Sequence, residues 1–263
     1  MNNLFAGQKD EWIALANIDY FGAFIKAYIP FNAWMNYYYP SLQKDREKIN
    51  TVKSTPNTFR NKICALLDLD SQEGSHFRNL IGDLHDMLEK HYIHNQDKRI
   101  TFTNITLGRN PENVGECSRF GIGFRVQYGN GSANSTNTHS LIKKRDGSAI
   151  FNFNQSNYNI EELKANSSFV TLSTDYQNLL LDCYKKVEPY IQINFTLIPT
   201  GASYFECGDY RFVKESENLA KGLIEIIYNL RCSLFHGEIV PNKEANQVYG
   251  AAYRILYILI QSL

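Results

Sequence analysis

The chain has 263 residues, 43 % of them hydrophobic, and its 27 basic residues balance 27 acidic ones to a formal net charge of zero. That length and apolar content suffice for one large domain, or for one domain carrying an insert. A neutral chain excludes a globally basic nucleic-acid binder, so any RNA contact has to come from local patches with weak long-range steering.

Met1 to Asp10 has no basic stretch followed by an apolar core, so no signal peptide is expected. The most apolar stretch, Ala251 to Leu259, is far too short to span a bilayer and contains Arg254. No membrane association is expected. Cys64, Cys117, Cys183, Cys207 and Cys232 are an odd, scattered set with no close pair in sequence. They read as reduced thiols of a cytoplasmic protein rather than a disulfide framework or a zinc site, and neither a metal nor a cofactor is expected. The Asn-x-Ser/Thr triplets at Asn104, Asn134, Asn166 and Asn194 follow from an asparagine-rich composition.

From about Asp10 to Tyr39, apolar residues recur at helical spacing: Trp12, Leu15, Ile18, Phe21, Phe24, Ile25 and Tyr28. Pro30 is expected to kink or restart this helix, because it lacks the donor for the preceding turn. The polar run Lys44 to Ser54 reads as a loop or a short exposed helix. A segment from about Pro56 to Leu67 follows, then a clearer one from Gln72 to Tyr92, with Phe77, Leu80, Ile81, Leu84 and Leu88 on one stripe. Ile100 to Leu107 is a candidate strand. The clearest strand is Ile122 to Tyr128, where Ile122, Phe124, Val126 and Tyr128 alternate with Gly123, Arg125 and Gln127. Gly129 to Thr138 is rich in Gly, Asn and Ser and reads as a mobile loop. Leu141 to Arg145 and Ser148 to Phe153 flank Asp146-Gly147, which fits a two-residue type I′ hairpin turn. Helical spacing returns from Ser173 to Tyr190, irregular sequence runs to Asp209, and no internal repeat is evident.

The last fifty residues carry the chemistry. An amphipathic run, Leu219 to Leu234, leads into Arg231-Cys232-Ser233-Leu234-Phe235-His236-Gly237. Gly237 suits a helix end, and Pro241 suits the first turn of a final helix carrying Val248, Ala252, Ile255, Leu256 and Leu259. A guanidinium can hold a phosphate bidentately at any working pH, and an imidazole can move a proton near neutrality. The bare spacing is weak, since an arginine and a histidine separated by four to six residues arise about once by chance in such a chain. A second copy, Arg78 to His85, lies inside the Gln72 to Tyr92 helix and reads as two residues of a solvated face. Without further context, His236 is a cation near the negative end of a helix dipole, contributing about 0.3–1 kcal/mol. Arg231 is then a surface residue or a partner of Glu225 or Glu238.

The end-of-helix arginine, four intervening residues and histidine, the following Leu-Phe-His-Gly-Glu, and the aromatic Tyr28-Ile29-Pro30-Phe31-Asn32-Ala33-Trp34 together resemble the HEPN superfamily of helical, metal-independent ribonucleases. The resemblance covers about half the chain, at its two ends. It implies a mainly α fold: an up-and-down helical bundle over residues 1–97 and 213–263, split by a strand-containing insert at 98–212 between the second and third bundle helices (α+β overall). It also implies an endoribonuclease of a bacterial defence or toxin kind, in which His236 is the general base or acid and Arg231 binds the scissile phosphate. Attack by the ribose 2′-hydroxyl would leave 2′,3′-cyclic phosphate ends. The implied partners are RNA, a second copy of the chain about a two-fold axis, and an inhibitory or sensor protein. Cys232 departs from the polar residue usual after the arginine; Asn229 or Ser233 could stand in for it, with Glu238 as a further supporting group. Lys143, Lys144 and Arg145 are the candidate RNA-backbone contacts, and Lys185-Lys186 is a weaker one. The cluster Tyr37-Tyr38-Tyr39 could stack bases or cover an interface. Gly121-Ile122-Gly123 lacks the helix and lysine of a phosphate loop. Two alternatives stay open: a non-catalytic HEPN-like module binding RNA, nucleotide or protein, and a β-rich ligand-binding scaffold braced by its helical ends.

Overall fold

The computed structural model describes residues 18–96, 98–129 and 135–263. The expected helix start at Trp12 and Leu15, the Met1 to Asp10 stretch, and residues 130–134 of the Gly129 to Thr138 loop, Asn134 included, lie outside these residues. The chain divides into two compact units: the described residues up to Leu107 with Gln192–Leu263, and Gly108–Ile191.

In the first unit, apolar stripes at helical spacing fold as helices, four of them opened by side-chain caps. Helix α1 (Tyr20–Tyr38) starts at Asp19, whose carboxylate accepts from Gly22 N–H at 3.0 Å, and buries Phe24, Tyr28, Phe31 and Met35. It runs unbroken through Pro30, so the helix does not restart there. Pro30 and Lys26, whose carbonyl loses its donor, are both exposed, so water can take the place of the missing N–H. The polar run after it folds as α2 (Asp45–Ser54), and it is not an exposed helix: Ile49, Val52, Lys48 and Lys53 are all buried. Asn57 opens α3 (Thr58–Asp68), and Ser71 opens α4 (Gln72–Lys90). Helices α8 (Ser216–Phe235) and α9 (Lys243–Ile260) close the unit. Helix α9 packs along α1 and α4, and α8 lies against α2 and α3. The core is strongly aromatic. Phe31 and Phe59 stack at 4.1 Å, and the fully buried Tyr249 donates its hydroxyl to the Leu230 carbonyl at 2.7 Å.

Half of the structure is helical and one fifth is strand, spread over four sheets. The fold is therefore mixed α+β, and the mainly α up-and-down bundle expected from the sequence is overturned. Two hairpins belong to the helical unit itself. One is β1 (His94–Asn95) with β2 (Lys98–Arg99), held to α8; the other is β9 (Tyr204–Cys207) with β10 (Tyr210–Val213), laid on α4. Strands of two to four residues are too short for a period-two pattern to stand out from chance, which is why the sequence shows only irregular chain there. Strands β2, β9 and β10 lie in the first unit, and the second spans Gly108–Ile191.

The second unit is a four-stranded antiparallel meander, β4 (Val114–Arg119), β5 (Ile122–Tyr128), β6 (Thr138–Lys144) and β7 (Ala149–Gln155), entered through β3 (Ile105–Arg109) and left through β8 (Tyr190–Ile193), which pair with each other. Two short helices, α5 (Ile160–Ala165) and α6 (Ser167–Val170), precede α7 (Thr174–Lys186). Helix α7 packs on β4 and β5, burying Leu180, Cys183 and Tyr184 against Phe124, Val126, Ile142 and Phe151. The β6–β7 turn is not the expected type I′. Only Gly147 has a positive φ (87°), Gly147 N–H bonds the Lys144 carbonyl, and Lys144 N–H bonds the Ser148 carbonyl. The loop is therefore three residues long, with Gly147 closing it in the left-handed region.

Candidate active site at the end of helix α8

Helix α8 ends in a Schellman motif. Gly237, at φ 67°, turns the chain so that Glu238 N–H bonds the Ser233 carbonyl at 3.0 Å and Gly237 N–H bonds the Leu234 carbonyl at 3.3 Å. His236 is the C-cap residue. Its side chain is exposed, and its ring hydrogen-bonds to no other described residue. The end of the helix dipole there is negative, which opposes a phosphate. Any anion bound at this end has to be held by side chains.

Arg231 lies just over one turn earlier. Its Nη2 is 3.1 Å from Asp45 Oδ2 in the first turn of α2, its guanidinium sits 4.6 Å from the Phe235 ring and 5.9 Å from that of Tyr28, and its Nε is buried with no partner. The side chain is 22 % exposed, so it is not sealed from solvent. Burial works against its charge, but Cys232, Tyr28 and Asp45 outweigh that and hold it firmly protonated. Helix α2 begins without a side-chain cap, so its orphan N–H groups set partial positive charge at the Asp45 end.

A second, buried cluster lies one to two turns back along α8. Glu225 is 2.6 Å from Arg46 Nη1 and 2.5 Å from Lys53 Nζ, and Lys53 also donates to the Leu107 carbonyl at 3.1 Å. The Arg46 guanidinium stacks 4.2 Å from the Tyr228 ring. Burial pushes the Tyr228 hydroxyl up to about 12, helped by neighbouring Cys232. Glu225 and Glu238, the carboxylates the sequence offered Arg231, are engaged elsewhere.

The three supporting residues have a shared task, and it is not orienting Arg231. Ser233 Oγ donates to the His94 carbonyl at 2.7 Å, Asn229 Oδ1 accepts from Asn95 Nδ2 at 3.0 Å, and Glu238 Oε2 accepts from Gln96 N–H at 3.0 Å. Three consecutive residues of the β1–β2 hairpin are thereby fastened to the end of α8. Gln96 is held in the left-handed region at φ 49°. The hairpin also brings a second histidine, His94, to this end of the helix. Sequence reasoning missed Asp45, Arg46 and His94, all distant from α8 along the chain; the one available signal was the acidic start of the polar run at Asp45.

The other sequence candidates belong to other elements. Lys143, Lys144 and Arg145 are exposed on β6 and its turn, in the second unit. The Arg78 to His85 copy is no solvated face. Arg78 donates to the Leu67 and Leu69 carbonyls at 2.8 and 3.0 Å, and His85 is 4 % exposed among the rings of Phe102, Tyr210 and Phe212. Tyr37 and Tyr38 are exposed at the end of α1, with Trp34 buried beneath Tyr38 at a ring distance of 5.3 Å. Clefts of about 360 and 570 Å³ in the first unit, lined by Arg78, Lys214 and Tyr204 and by Arg60, Cys64 and Glu217, are both separate from Arg231 and His236. Among the described residues, no group of three or more His, Cys, Asp or Glu side chains could hold a metal ion, and no helix is long and apolar enough to cross a membrane.

No family model, curated protein or solved structure matches the chain.

Proposed function

We propose that the protein is a metal-independent endoribonuclease of the HEPN type, acting in the cytoplasm in a defence or toxin setting. The observation that supports this reading best is the placing, at one capped helix end, of an exposed imidazole (His236) with no hydrogen bond to a described residue and a partly exposed Arg231 whose guanidinium is flanked by Asp45 and the Phe235 ring. In this mechanism Arg231 binds the scissile phosphate and stabilises the phosphorane. His236 removes the 2′-hydroxyl proton or protonates the departing 5′-oxygen. A two-fold dimer would place a second copy of each at one cleft. Phe235, 59 % exposed beside His236, offers apolar surface for that contact. The five free thiols fit a reducing compartment.

The test is cleavage of labelled RNA by the full chain with and without EDTA, with the product ends identified by mass. Cleavage to 2′,3′-cyclic phosphate ends, unchanged by chelation and abolished in His236→Ala, is the expected result. Because His236 is exposed, that variant should be within about 0.5 kcal/mol of the parent in stability. Cleavage that survives His236→Ala, or that dies on chelation, refutes the mechanism.

One observation favours a second reading, a non-catalytic module for RNA or nucleotide. Arg231 is already paired with Asp45, so a phosphate has to displace a carboxylate before it can bind. RNA retained without cleavage, at a strength that Arg231→Ala lowers, would select this reading.

A further inference from the structure

The five cysteines are scattered in sequence, yet the second unit brings two of them together. Cys117 on β4 and Cys183 on α7 stand 66 positions apart with their sulfurs at 3.3 Å, and the Cys183 S–H points to the Cys117 sulfur. The two thiols are unequal. Cys183 is fully buried, while Cys117 is half-buried and reaches the surface. Their contact is built in by close backbone packing. On β4, a Cβ at Gly115 would lie 2.1 Å from the Cys183 carbonyl oxygen, so only glycine lets α7 settle this near the strand. Cys183 is further placed by weak contacts to the Phe124 carbonyl at 3.9 Å, and Cys117 by one to the Leu179 carbonyl at 4.0 Å.

We propose that Cys117 and Cys183 form an oxidisable dithiol site, in which a peroxide converts the pair to a disulfide that ties α7 to the sheet. The inference stands independently of what Arg231 and His236 do. Cys117, the thiol that solvent reaches, reacts first. Its sulfur, deprotonated, attacks one peroxide oxygen, forming an S–O bond and breaking the O–O bond, and the other oxygen leaves as hydroxide and takes up a proton. The product is a Cys117 sulfenic acid, and the peroxide has been reduced by two electrons. Cys183 then gives up its proton and attacks the Cys117 sulfur; the S–S bond forms, the S–O bond breaks and the second oxygen leaves as water. The net change is two thiols and one peroxide giving one disulfide and two waters. Bonding requires the sulfurs to close by roughly 1.3 Å, within reach of small side-chain rotations when the backbones are already adjacent. Burial pushes the Cys183 thiol up to about 12, with Lys186 opposing, which keeps it a protonated resolving thiol and leaves the first step to Cys117.

The full chain, reduced and desalted, is treated with a small excess of hydrogen peroxide, its remaining thiols are alkylated under denaturing conditions, and its peptides are mapped by mass. The expected product is two hydrogens lighter, with Cys117 joined to Cys183 and Cys64, Cys207 and Cys232 alkylated. Dithiothreitol added after the peroxide and before alkylation should restore all five thiols. In Cys183→Ser the resolving sulfur is gone, so Cys117 should accumulate as sulfenic and then sulfinic acid. The oxidised parent should also melt a few degrees higher than the reduced one, since the bond closes a long loop. Wild-type protein that over-oxidises at Cys117 without forming the bond, joins another pair instead, or leaves both thiols unreacted at peroxide doses that oxidise an exposed cysteine refutes the proposal. The wild-type map decides the matter even if Cys183→Ser folds poorly.

Discussion

Glu225→Gln should destabilise the first unit strongly, and the reason lies with Lys53. Glu225 faces two cations, but the two are placed differently. The Arg46 side chain is 44 % exposed and can turn to water, whereas Lys53 is 5 % exposed and Glu225 itself 7 %. Taking away the carboxylate charge leaves the Lys53 ammonium enclosed with neutral acceptors only, the Leu107 carbonyl and the new amide oxygen. Removing one partner of a buried pair costs roughly 3–5 kcal/mol, mostly because the other charge is left uncompensated. For a unit of this size that corresponds to a fall in Tm of roughly 6–20 °C. Removing the second charge as well should reverse most of the effect: Glu225→Gln with Lys53→Met should recover more than half of the loss, since a thioether of similar length fills the space without needing a counterion. Urea unfolding of the parent, both single variants and the double variant completes the cycle. If Glu225→Gln costs under about 1 kcal/mol, or if adding Lys53→Met deepens the loss, the enclosed-ammonium argument is wrong.

Two further expectations concern charge and pH. Asp45→Asn frees the Arg231 guanidinium from its carboxylate and should tighten RNA binding several-fold at low salt, read by fluorescence anisotropy; unchanged binding would mean that Arg231 does not hold phosphate. His85, enclosed by Phe102, Tyr210 and Phe212, has its pKa lowered by burial, partly offset by Glu89 and Asp86 on α4, with Arg99 of β2 adding to the lowering. Tyr210, the one titratable ring packed on it, has its hydroxyl on Asp86 at 2.7 Å. A lowered folded pKa means the unfolded chain binds the proton more tightly. Stability should therefore be full above about 6.5 and fall as pH drops below it, by at most about 1.4 kcal/mol per pH unit. His85→Phe should flatten that part of the stability–pH curve; an unchanged slope would show that His85 is not its source.

The parts of the fold visible in the sequence are those with enough length for a period to register. Helices α4, α8 and α9 each place apolar residues on one stripe over eighteen or more positions, and β5 alternates over seven. Helix α2 looked like surface chain because its buried lysines count as polar in any hydropathy pattern, while Glu225 and the Asn36 side chain, which receive them, come from other helices. The hairpins of the first unit were illegible for the opposite reason: two to four residues satisfy almost any pattern. At the site, the Arg231 to His236 spacing and the closing Gly237 could be read directly because they are local. What surrounds Arg231 could not, since Asp45 and Tyr28 are brought to it only by packing. The same limit hid Cys117 from Cys183, and it made His85 look solvated, because the rings that cover it come from β10 and from the chain following β2.

The fastening of the β1–β2 hairpin has a consequence for how this surface can vary. At His94 and Gln96 the clamp grips only main-chain atoms, the carbonyl of one and the amide of the other, and the side chains at those two positions take no part in it. Their identity can change without loosening the attachment, provided Ser233, Glu238 and the Asn229–Asn95 link persist and the residue at 96 keeps its N–H and tolerates the left-handed backbone there. The protein thus keeps a firm mount with two interchangeable fittings, facing whatever approaches the tip of its penultimate helix.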